Sequence, residues 1–79
     1  MKKLQIEYFA ILREQAGKSG EFITTEASTA VEVFAGLQQA YGFADPKNFK
    51  LAVNDEFCAW DRPLSDGDHV VFLPPVAGG

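Results

Sequence analysis

One segment of the sequence has the length and pattern of a helix that packs on a core. It is predicted to begin at Thr29, because Thr29-x-x-Glu32 is a capping box in which the Thr29 hydroxyl accepts from the Glu32 backbone N–H. Gly42 is well placed to end it. The apolar residues at the spacing of one helix face are Val33, Phe34, Leu37, Ala40 and Tyr41. A single main helix can cover one face of a sheet, so the remaining chain is expected to supply that sheet.

Period-two alternation of apolar and polar residues predicts strands both before and after this helix in the sequence. Leu4, Ile6 and Tyr8 alternate with polar residues in the first strand. Good helix formers from 10 to 16 predict a short helical turn that stops at Gly17. Further strands are predicted at 21–26, 51–53, 57–60 and 70–73, with turns at 17–20, 45–46, 54–55 and 64–68.

This order of elements predicts an α+β fold of the β-grasp, or ubiquitin-like, kind. A mixed sheet of about five strands is expected, with the main helix packed across it and the first and last strands central and parallel. Residues 1–73 are expected to form one domain, and residues 74–79 a flexible, extended C-terminal tail. So small a domain leaves little room for an enclosed catalytic cleft.

Charge and cysteine usage exclude several functional classes. Eleven acidic against seven basic residues give a net charge of -4, which disfavours nucleic acid as a partner. The single Cys58 cannot form an intrachain disulfide, so a reducing, cytoplasmic location is predicted and Cys58 is interpreted as a packed side chain. No Cys/His pair has metal-ligand spacing, and no apolar run approaches the length of a signal peptide core or a membrane span.

The last six residues begin with two conformationally stiff prolines and end with two small glycines. Pro74-Pro75 favours an extended path, and six residues beyond Leu73 reach roughly 18 to 20 Å. Gly78-Gly79 would fit a narrow channel and leave the terminal carbonyl unhindered. A free carboxylate is unreactive and needs activation by ATP, but the chain has no G-x-x-x-x-G-K-[ST] loop. A separate activating enzyme is therefore predicted to use the ATP, with no cofactor bound by this chain; the alternative is a frayed end without function.

Several motifs resemble the small-subunit family of molybdopterin synthase. The terminal sequence 73–79, Leu-Pro-Pro-Val-Ala-Gly-Gly, carries most of the resemblance. Leu64-x-Asp66-Gly67-Asp68-x-Val70, Phe9-Ala10-x-Leu12-Arg13-Glu14 and Val53-Asn54 extend it over nearly the whole chain. The family pattern has an acidic residue where this chain has His69, and we expect a change of surface charge there without a change of mechanism.

The resemblance implies a sulfur carrier for molybdenum cofactor biosynthesis. An activating enzyme would adenylate Gly79, and a sulfur donor protein would convert the adenylate to a thiocarboxylate. The tail would then enter the large synthase subunit, where the sulfur attacks cyclic pyranopterin monophosphate. The implied assembly is a heterotetramer of two small and two large subunits, with the catalytic side chains on the partner. This chain would thus be a sulfur-donor subunit rather than a catalyst.

Phe9 and Leu73 are predicted to form an apolar surface for partner docking beside the tail. The alternative is that the short helix covers Phe9. The resemblance implies that Arg13 pairs with an acidic patch on the activating enzyme, whereas His69 and Trp60 receive no binding role. The tail residues expected to enter the partner are Pro74, Pro75, Val76, Ala77 and Gly78.

Three other functions stay open at this point. The thiamine-thiazole sulfur carrier also ends in Gly-Gly, although the Leu-Pro-Pro run favours the molybdopterin pathway. A ubiquitin-like modifier would instead join Gly79 to a lysine of a target protein. A plain interaction domain would have a tail without chemical function.

Overall fold

The structure is a computed structural model that describes residues 1–43 and 49–74. The predicted turn at Asp45-Pro46 lies outside the described residues. The elements in chain order are β1 (Lys2–Tyr8), α1 (Ile11–Ala16), β2 (Gly20–Thr25), α2 (Ala30–Tyr41), β3 (Lys50–Val53), β4 (Glu56–Cys58) and β5 (His69–Leu73).

The strands form one mixed sheet in the order β2-β1-β5-β3-β4. The prediction that the first and last strands lie side by side and parallel is confirmed by the pairs from Gln5↔His69 to Tyr8↔Phe72. β2 pairs antiparallel with β1, and β3 pairs antiparallel with both β5 and β4. The sheet therefore has the predicted β-grasp order.

Most predicted element boundaries agree with the structure to within one residue. The strand predicted at 57–60 is the exception, since β4 ends at Cys58. The backbone turns there, and the Arg62 N–H donates to the Ala59 carbonyl at 3.2 Å. Asn54 and Asp55 have φ of 53° and 70°, as expected for the two-residue turn predicted between β3 and β4.

The predicted capping box at the start of α2 does not form, although Thr29 is the N-cap residue. No side chain caps the helix backbone. Thr29 is held extended by a β-bridge to Pro63, and its hydroxyl lies 3.5 Å from the Glu32 carboxylate. The two side chains thus face each other instead of the backbone N–H groups, so the expected capping contribution is absent.

The helix packs on the sheet through most of its predicted apolar face. Val33, Phe34 and Leu37 are buried and Tyr41 packs at the edge of the core, but Ala40 is exposed, which corrects the prediction for that residue. Ala30, one turn before Phe34, is buried instead. The stripe follows positions 30, 33, 34, 37 and 41, which leaves Ala40 on the solvent side.

The sheet has one covered face and one face turned away from α2. Leu4, Ile6 and Val70 are at most 1% exposed on the covered face. The other face, called the open face below, carries the alternate residues of the same strands. Its members are Lys3, Gln5, Glu7, Gly20, Phe22, Thr24, Lys50, Ala52, Phe57, His69, Val71 and Leu73.

Candidate functional site

The sequence Leu64-x-Asp66-Gly67-Asp68 forms the turn that sets β5 beside β1. The Lys3 N–H donates to the Asp66 carboxylate at 2.7 Å, and the Gly67 N–H donates to the Lys3 carbonyl at 2.7 Å. The Gln5 N–H donates to the Asp68 carbonyl at 3.0 Å. Gly67 has φ of 88°, which a residue with a side chain adopts at a cost. The turn therefore fixes the register of β5 and the point at which the chain leaves the sheet.

Phe9 is held exposed by a tight turn centred on Ala10. The Leu12 N–H donates to the Phe9 carbonyl at 3.1 Å, and Ala10 has φ 52° and ψ -125°. These angles belong to the first central position of a type II′ turn. The turn directs the chain into α1 and leaves Phe9 39% exposed. The short helix therefore does not cover Phe9.

Leu73 and Pro74 lie at the same end of the sheet as Phe9. Tyr8 and Phe72 form the last pair of the β1–β5 ladder, and Phe9 and Leu73 are the next residue of each chain. Leu73 is paired with Lys50 on its other side, and both Leu73 and Pro74 are partly exposed. The two predicted apolar residues, Phe9 and Leu73, therefore lie at the same end of the two central strands.

Phe57 is an exposed apolar residue that the sequence reasoning did not assign to the site. It is 71% exposed and opposite Ala52, which is opposite Val71 in turn. Lys50 Nζ lies 5.9 Å from the centre of the Phe57 ring. The signal was present, because a two-residue turn after Val53 fixes the hairpin register, and strict alternation then puts Phe57 on the face opposite to Val53.

An apolar surface can now be defined on the open face. We call Phe9, Phe57, Val71 and Leu73 the docking surface. Val71 is only 7% exposed and forms its floor, whereas Phe57 and Phe9 stand out from it. Exposed aromatic side chains around a packed apolar floor are typical of surfaces that bind another protein.

His69 lies on the open face beside the docking surface, and its surroundings differ from the solvated position that was expected. Its Nε2 is 2.9 Å from the Glu7 carboxylate on β1, and the two side chains are 28% and 38% exposed. Its backbone N–H also donates to the Asn54 side-chain oxygen at 3.0 Å. His69 thus joins β5 to β1 and to the β3–β4 turn, where sequence reasoning had given it no role.

The Glu21 carboxylate, on the covered face of the edge strand β2, joins this edge of the sheet to α2. Glu21 accepts hydrogen bonds from the Tyr8 and Tyr41 hydroxyls at 2.6 and 2.7 Å, and Lys18 Nζ lies 3.6 Å from it. Burial alone would raise the pKa of Glu21, but these two hydrogen bonds and the charge of Lys18 outweigh it and hold the pKa below its ordinary value. Burial, and next the bond to Glu21, raise the pKa of Tyr8.

The side chains of Cys58 and Trp60 contribute to packing. Both are partly buried and pack against the core, and the Trp60 ring stacks on Phe72 at 5.6 Å between centroids. The interpretation of Cys58 as a packed side chain is therefore confirmed.

Four of the predicted site residues, Phe9, Arg13, Leu73 and Pro74, fall within the part of the chain that the structure describes. Arg13 is exposed on α1 and makes no salt bridge within residues 1–43 and 49–74. The predicted residues Pro75, Val76, Ala77, Gly78 and Gly79 lie outside the described residues.

A search of the described residues finds no group of three or more His, Cys, Asp or Glu that could hold a metal ion. In the same residues, no helix has both the length and the apolar character needed to cross a membrane.

Comparisons with known proteins show which family the sequence matches. The model of the ThiS family matches residues 6–79. The molybdopterin synthase sulfur carrier subunit of Escherichia coli (strain K12) is 35% identical over 81 residues, which cover 96% of this chain and 99% of that protein.

Solved structures show the same fold. The putative molybdopterin converting factor, subunit 1, from Pyrococcus furiosus has a TM-score of 0.78 at 29% identity, covering 96% of this chain and 100% of that chain. A chain in the complex of subunits 1 and 2 of molybdopterin-converting factor from Helicobacter pylori 26695 has a TM-score of 0.69 at 29% identity, covering 98% and 99%. The ubiquitin of Caldiarchaeum subterraneum, at 17% identity and a TM-score of 0.64 over 99% and 98%, shows the fold alone.

Proposed function

The chain belongs to the ThiS family, and we propose that it is the sulfur carrier subunit of a molybdopterin synthase. One observation carries the proposal: 35% identity to the Escherichia coli sulfur carrier subunit over 96% of this chain and 99% of that one. The family model matches residues 6–79, which include both the docking surface and the terminal diglycine.

The chemistry begins at the carboxylate of Gly79. A separate activating enzyme transfers AMP from ATP to this carboxylate and releases pyrophosphate. Sulfur at the oxidation level of sulfide, supplied by a donor protein, then attacks the carbonyl carbon and displaces AMP, which leaves a thiocarboxylate with one oxygen replaced by sulfur. A thiocarboxylate sulfur is a softer and better nucleophile than the oxygen it replaces.

The sulfur is delivered inside the large synthase subunit. Two deliveries to cyclic pyranopterin monophosphate build a dithiolene, and the catalytic side chains belong to the large subunit. The solved complex of subunits 1 and 2 of the Helicobacter pylori molybdopterin-converting factor supports such a partner. We extend this to a heterotetramer of two small and two large subunits, with Pro74 to Gly78 inside the partner.

The geometry of the described residues is consistent with this delivery. Pro74 follows directly after β5, and Phe9 and Leu73 flank the point where the chain leaves the sheet. A partner that binds the docking surface would therefore receive the tail in a fixed position and orientation. Holding a reactive group in place in this way lowers the entropic part of the barrier.

The experiment that tests the proposal is complementation combined with intact-mass measurement. In a host that lacks its own sulfur carrier subunit, the protein is expected to restore molybdoenzyme activity and to carry a form in which one oxygen is replaced by sulfur. Extension beyond Gly79 by one alanine should abolish both, because the activating enzyme must reach the Gly79 carboxylate. Retained activity with the extension still present would contradict the proposal.

Two further measurements separate the two alternative functions. Rescue of a thiamine-requiring strain, without rescue of molybdoenzyme activity, would assign the chain to the thiazole pathway. Higher-mass conjugates that survive denaturation and reducing agent would indicate a protein modifier.

A further inference from the structure

The strand β2 forms one edge of the sheet, and half of its backbone groups face outward. The Tyr8 N–H donates to the Ser19 carbonyl at 2.9 Å, and the antiparallel pairing with β1 continues from there through the whole of β2. In an antiparallel ladder, residues that exchange hydrogen bonds alternate with residues that do not. The N–H and C=O groups that face away from β1 are therefore those of Gly20, Phe22 and Thr24.

This edge lacks the features that usually protect an exposed strand. Natural edges are commonly blocked by a lysine, a proline or a bulge. The strand Gly20–Thr25 contains neither lysine nor proline, and its pairing with β1 is continuous. Phe22 is 66% exposed on the open face, and Lys3 Nζ lies 5.4 Å from the centre of its ring. Because Lys3 belongs to β1, the outward backbone groups of β2 can still pair with another strand.

The opposite edge of the sheet does not offer a matching strand. The two-residue turn makes Val53 and Glu56 a hydrogen-bonded pair, so Phe57 alone among the three residues of β4 turns its backbone groups outward. Just beyond β4, the Ala59 carbonyl accepts from the Arg62 N–H at 3.2 Å. The strand that matches β2 best is therefore β2 of a second copy. Such a contact also closes on itself, whereas β2 on β4 would continue into a fibre.

One antiparallel register of two β2 strands pairs all the outward groups. When Phe22 lies opposite its own copy, Gly20 of each strand lies opposite Thr24 of the other, and all three pairs exchange hydrogen bonds. A shift by one step in either direction keeps only two of these pairs. One of the two shifted registers also sets Glu21 opposite its own copy, and like charges directly opposite each other destabilise a sheet.

The side chains are compatible with this register. The two Phe22 rings would be neighbours on the open face, where aromatic cross-strand pairs stabilise a sheet. Gly20 adds no side chain opposite Thr24. On the other face, Glu21 would lie opposite Ile23 of the second copy, and its carboxylate is already bound by two tyrosine hydroxyls of its own chain. No pair in this register sets like charges against each other.

We propose that two copies of this protein associate through β2 in this register, so that their five-stranded sheets become one continuous sheet. β2 lies on the far side of β1 from β5, β3 and β4, so Phe57, Val71 and Leu73 stay uncovered. The contact is small and each copy carries a net charge of -4, so we expect a dissociation constant of about 0.01 to 1 mM. The inference does not rest on the proposed function.

Sedimentation equilibrium of the full-length protein measures this dissociation constant. Phe22→Lys and Phe22→Glu each place like charges on the two-fold axis and should raise it about tenfold. An equimolar mixture of these two variants should associate about tenfold more tightly than either alone, because the lysine of one copy then meets the glutamate of the other.

Val31→Lys and Val31→Glu are the matched controls, because they make the same changes of charge at a position on α2 that is 52% exposed. They should leave the dissociation constant within about twofold of that of the unchanged protein, since surface changes away from a contact have small effects. Urea unfolding of all four variants checks that each is folded.

Amide hydrogen exchange locates the contact. The N–H groups of Gly20, Phe22 and Thr24 should exchange more slowly as the protein concentration rises, because they become hydrogen-bonded in the dimer. Exposed N–H groups in the first turn of α2 should show no such dependence.

Three results would overturn the inference. They are a protein that stays monomeric at about 2 mM, self-association that Phe22→Lys weakens no more than Val31→Lys, and a mixture that associates no more tightly than the separate variants. The last result would show that position 22 does not face its own copy. None of these results bears on the proposed function, which complementation tests separately.

Discussion

At the scale of single residues, Ala10 has a backbone conformation that its side chain disfavours. Its φ of 52° with ψ of -125° is a region used mainly by glycine. Non-glycine residues in such regions cost about 1 to 3 kcal/mol and are held there by their surroundings. Here the surroundings are the end of β1 and the start of α1, and the result is the exposed position of Phe9.

Replacing Ala10 by glycine is expected to stabilise the protein. Relief of the backbone strain outweighs the larger entropy of glycine in the unfolded chain, with a net gain of about 1 kcal/mol in the free energy of unfolding. Urea unfolding measures it. Ala35→Gly, at an exposed position within α2, is the control and should lose about 1 kcal/mol. A loss at both positions would show that Ala10 is unstrained.

A second effect at this scale is the dependence of stability on pH through Glu21. Its pKa is lower in the folded protein than in the unfolded chain, so its contribution is present above the free-glutamate pKa of about 4.3. That contribution is lost as the pH falls through the folded-state pKa. Glu21→Gln should lower the free energy of unfolding at pH 7 by about 1 kcal/mol, because water reaches this edge and screens part of the interaction.

The measurement is chemical unfolding from pH 7 to pH 3. The difference between Glu21→Gln and the unchanged protein should shrink as the pH falls. Glu26→Gln removes an exposed carboxylate that makes no hydrogen bond or ion pair within residues 1–43 and 49–74, and it should show no such trend. A constant difference for Glu21→Gln across the range would contradict the assignment.

At the scale of elements, Asn54 connects the β3–β4 hairpin to the start of β5. Its side-chain amide donates to the Asp68 carboxylate at 3.0 Å, and its side-chain oxygen accepts from the His69 N–H at 3.0 Å. Its own N–H donates to the His69 carbonyl at 2.8 Å. The hairpin that carries Phe57 is thereby fixed to the strand that carries Leu73.

Asn54→Ala should destabilise the protein by about 1 to 2 kcal/mol more than Asp55→Ala. Both residues have positive φ, so each substitution loses the same backbone preference, but only Asn54 makes these two side-chain hydrogen bonds. The difference between the two variants isolates the hydrogen bonds. Equal losses in thermal or urea unfolding would show that the connection to β5 contributes nothing.

At the scale of the whole molecule, the two faces of the sheet differ in what they carry. The covered face holds the aromatic core, in which Phe34 contacts Phe43, Phe49, Trp60 and Phe72 with centroid distances of 5.0 to 5.7 Å. The open face holds the docking surface. Changes on the open face are therefore expected to alter partner binding with little effect on folding.

Phe57→Thr tests this separation. The ring is 71% exposed, so the free energy of unfolding should change by less than about 0.5 kcal/mol. If Phe57 belongs to the contact with the proposed partner, the Kd for the large synthase subunit should rise about tenfold, because exposed aromatic side chains are common anchors in protein interfaces. Calorimetric titration gives Kd, with Val31→Thr as control. An unchanged Kd would remove Phe57 from the docking surface.

The local sequence determined much of this protein. Alternation and helix periodicity gave the elements, and the order of the elements indicated the β-grasp sheet with β1 and β5 parallel at its centre. The motif 64–68 and the sequence at 73–79 indicated the family through the resemblance. These features are local, since a turn, a strand or a tail needs only neighbouring residues to define it.

Only the tertiary structure decided which side chains meet across strands. The Thr29 side chain turned to Glu32 instead of capping the helix, because a bridge to Pro63 holds its backbone. His69 contacts Glu7, which is 62 residues away in the sequence, because the register of β1 and β5 brings the two side chains together. Phe22 became exposed because it lies on the open face of β2, which is an edge strand of the sheet. Such contacts depend on strand order and register, which no single stretch of sequence contains.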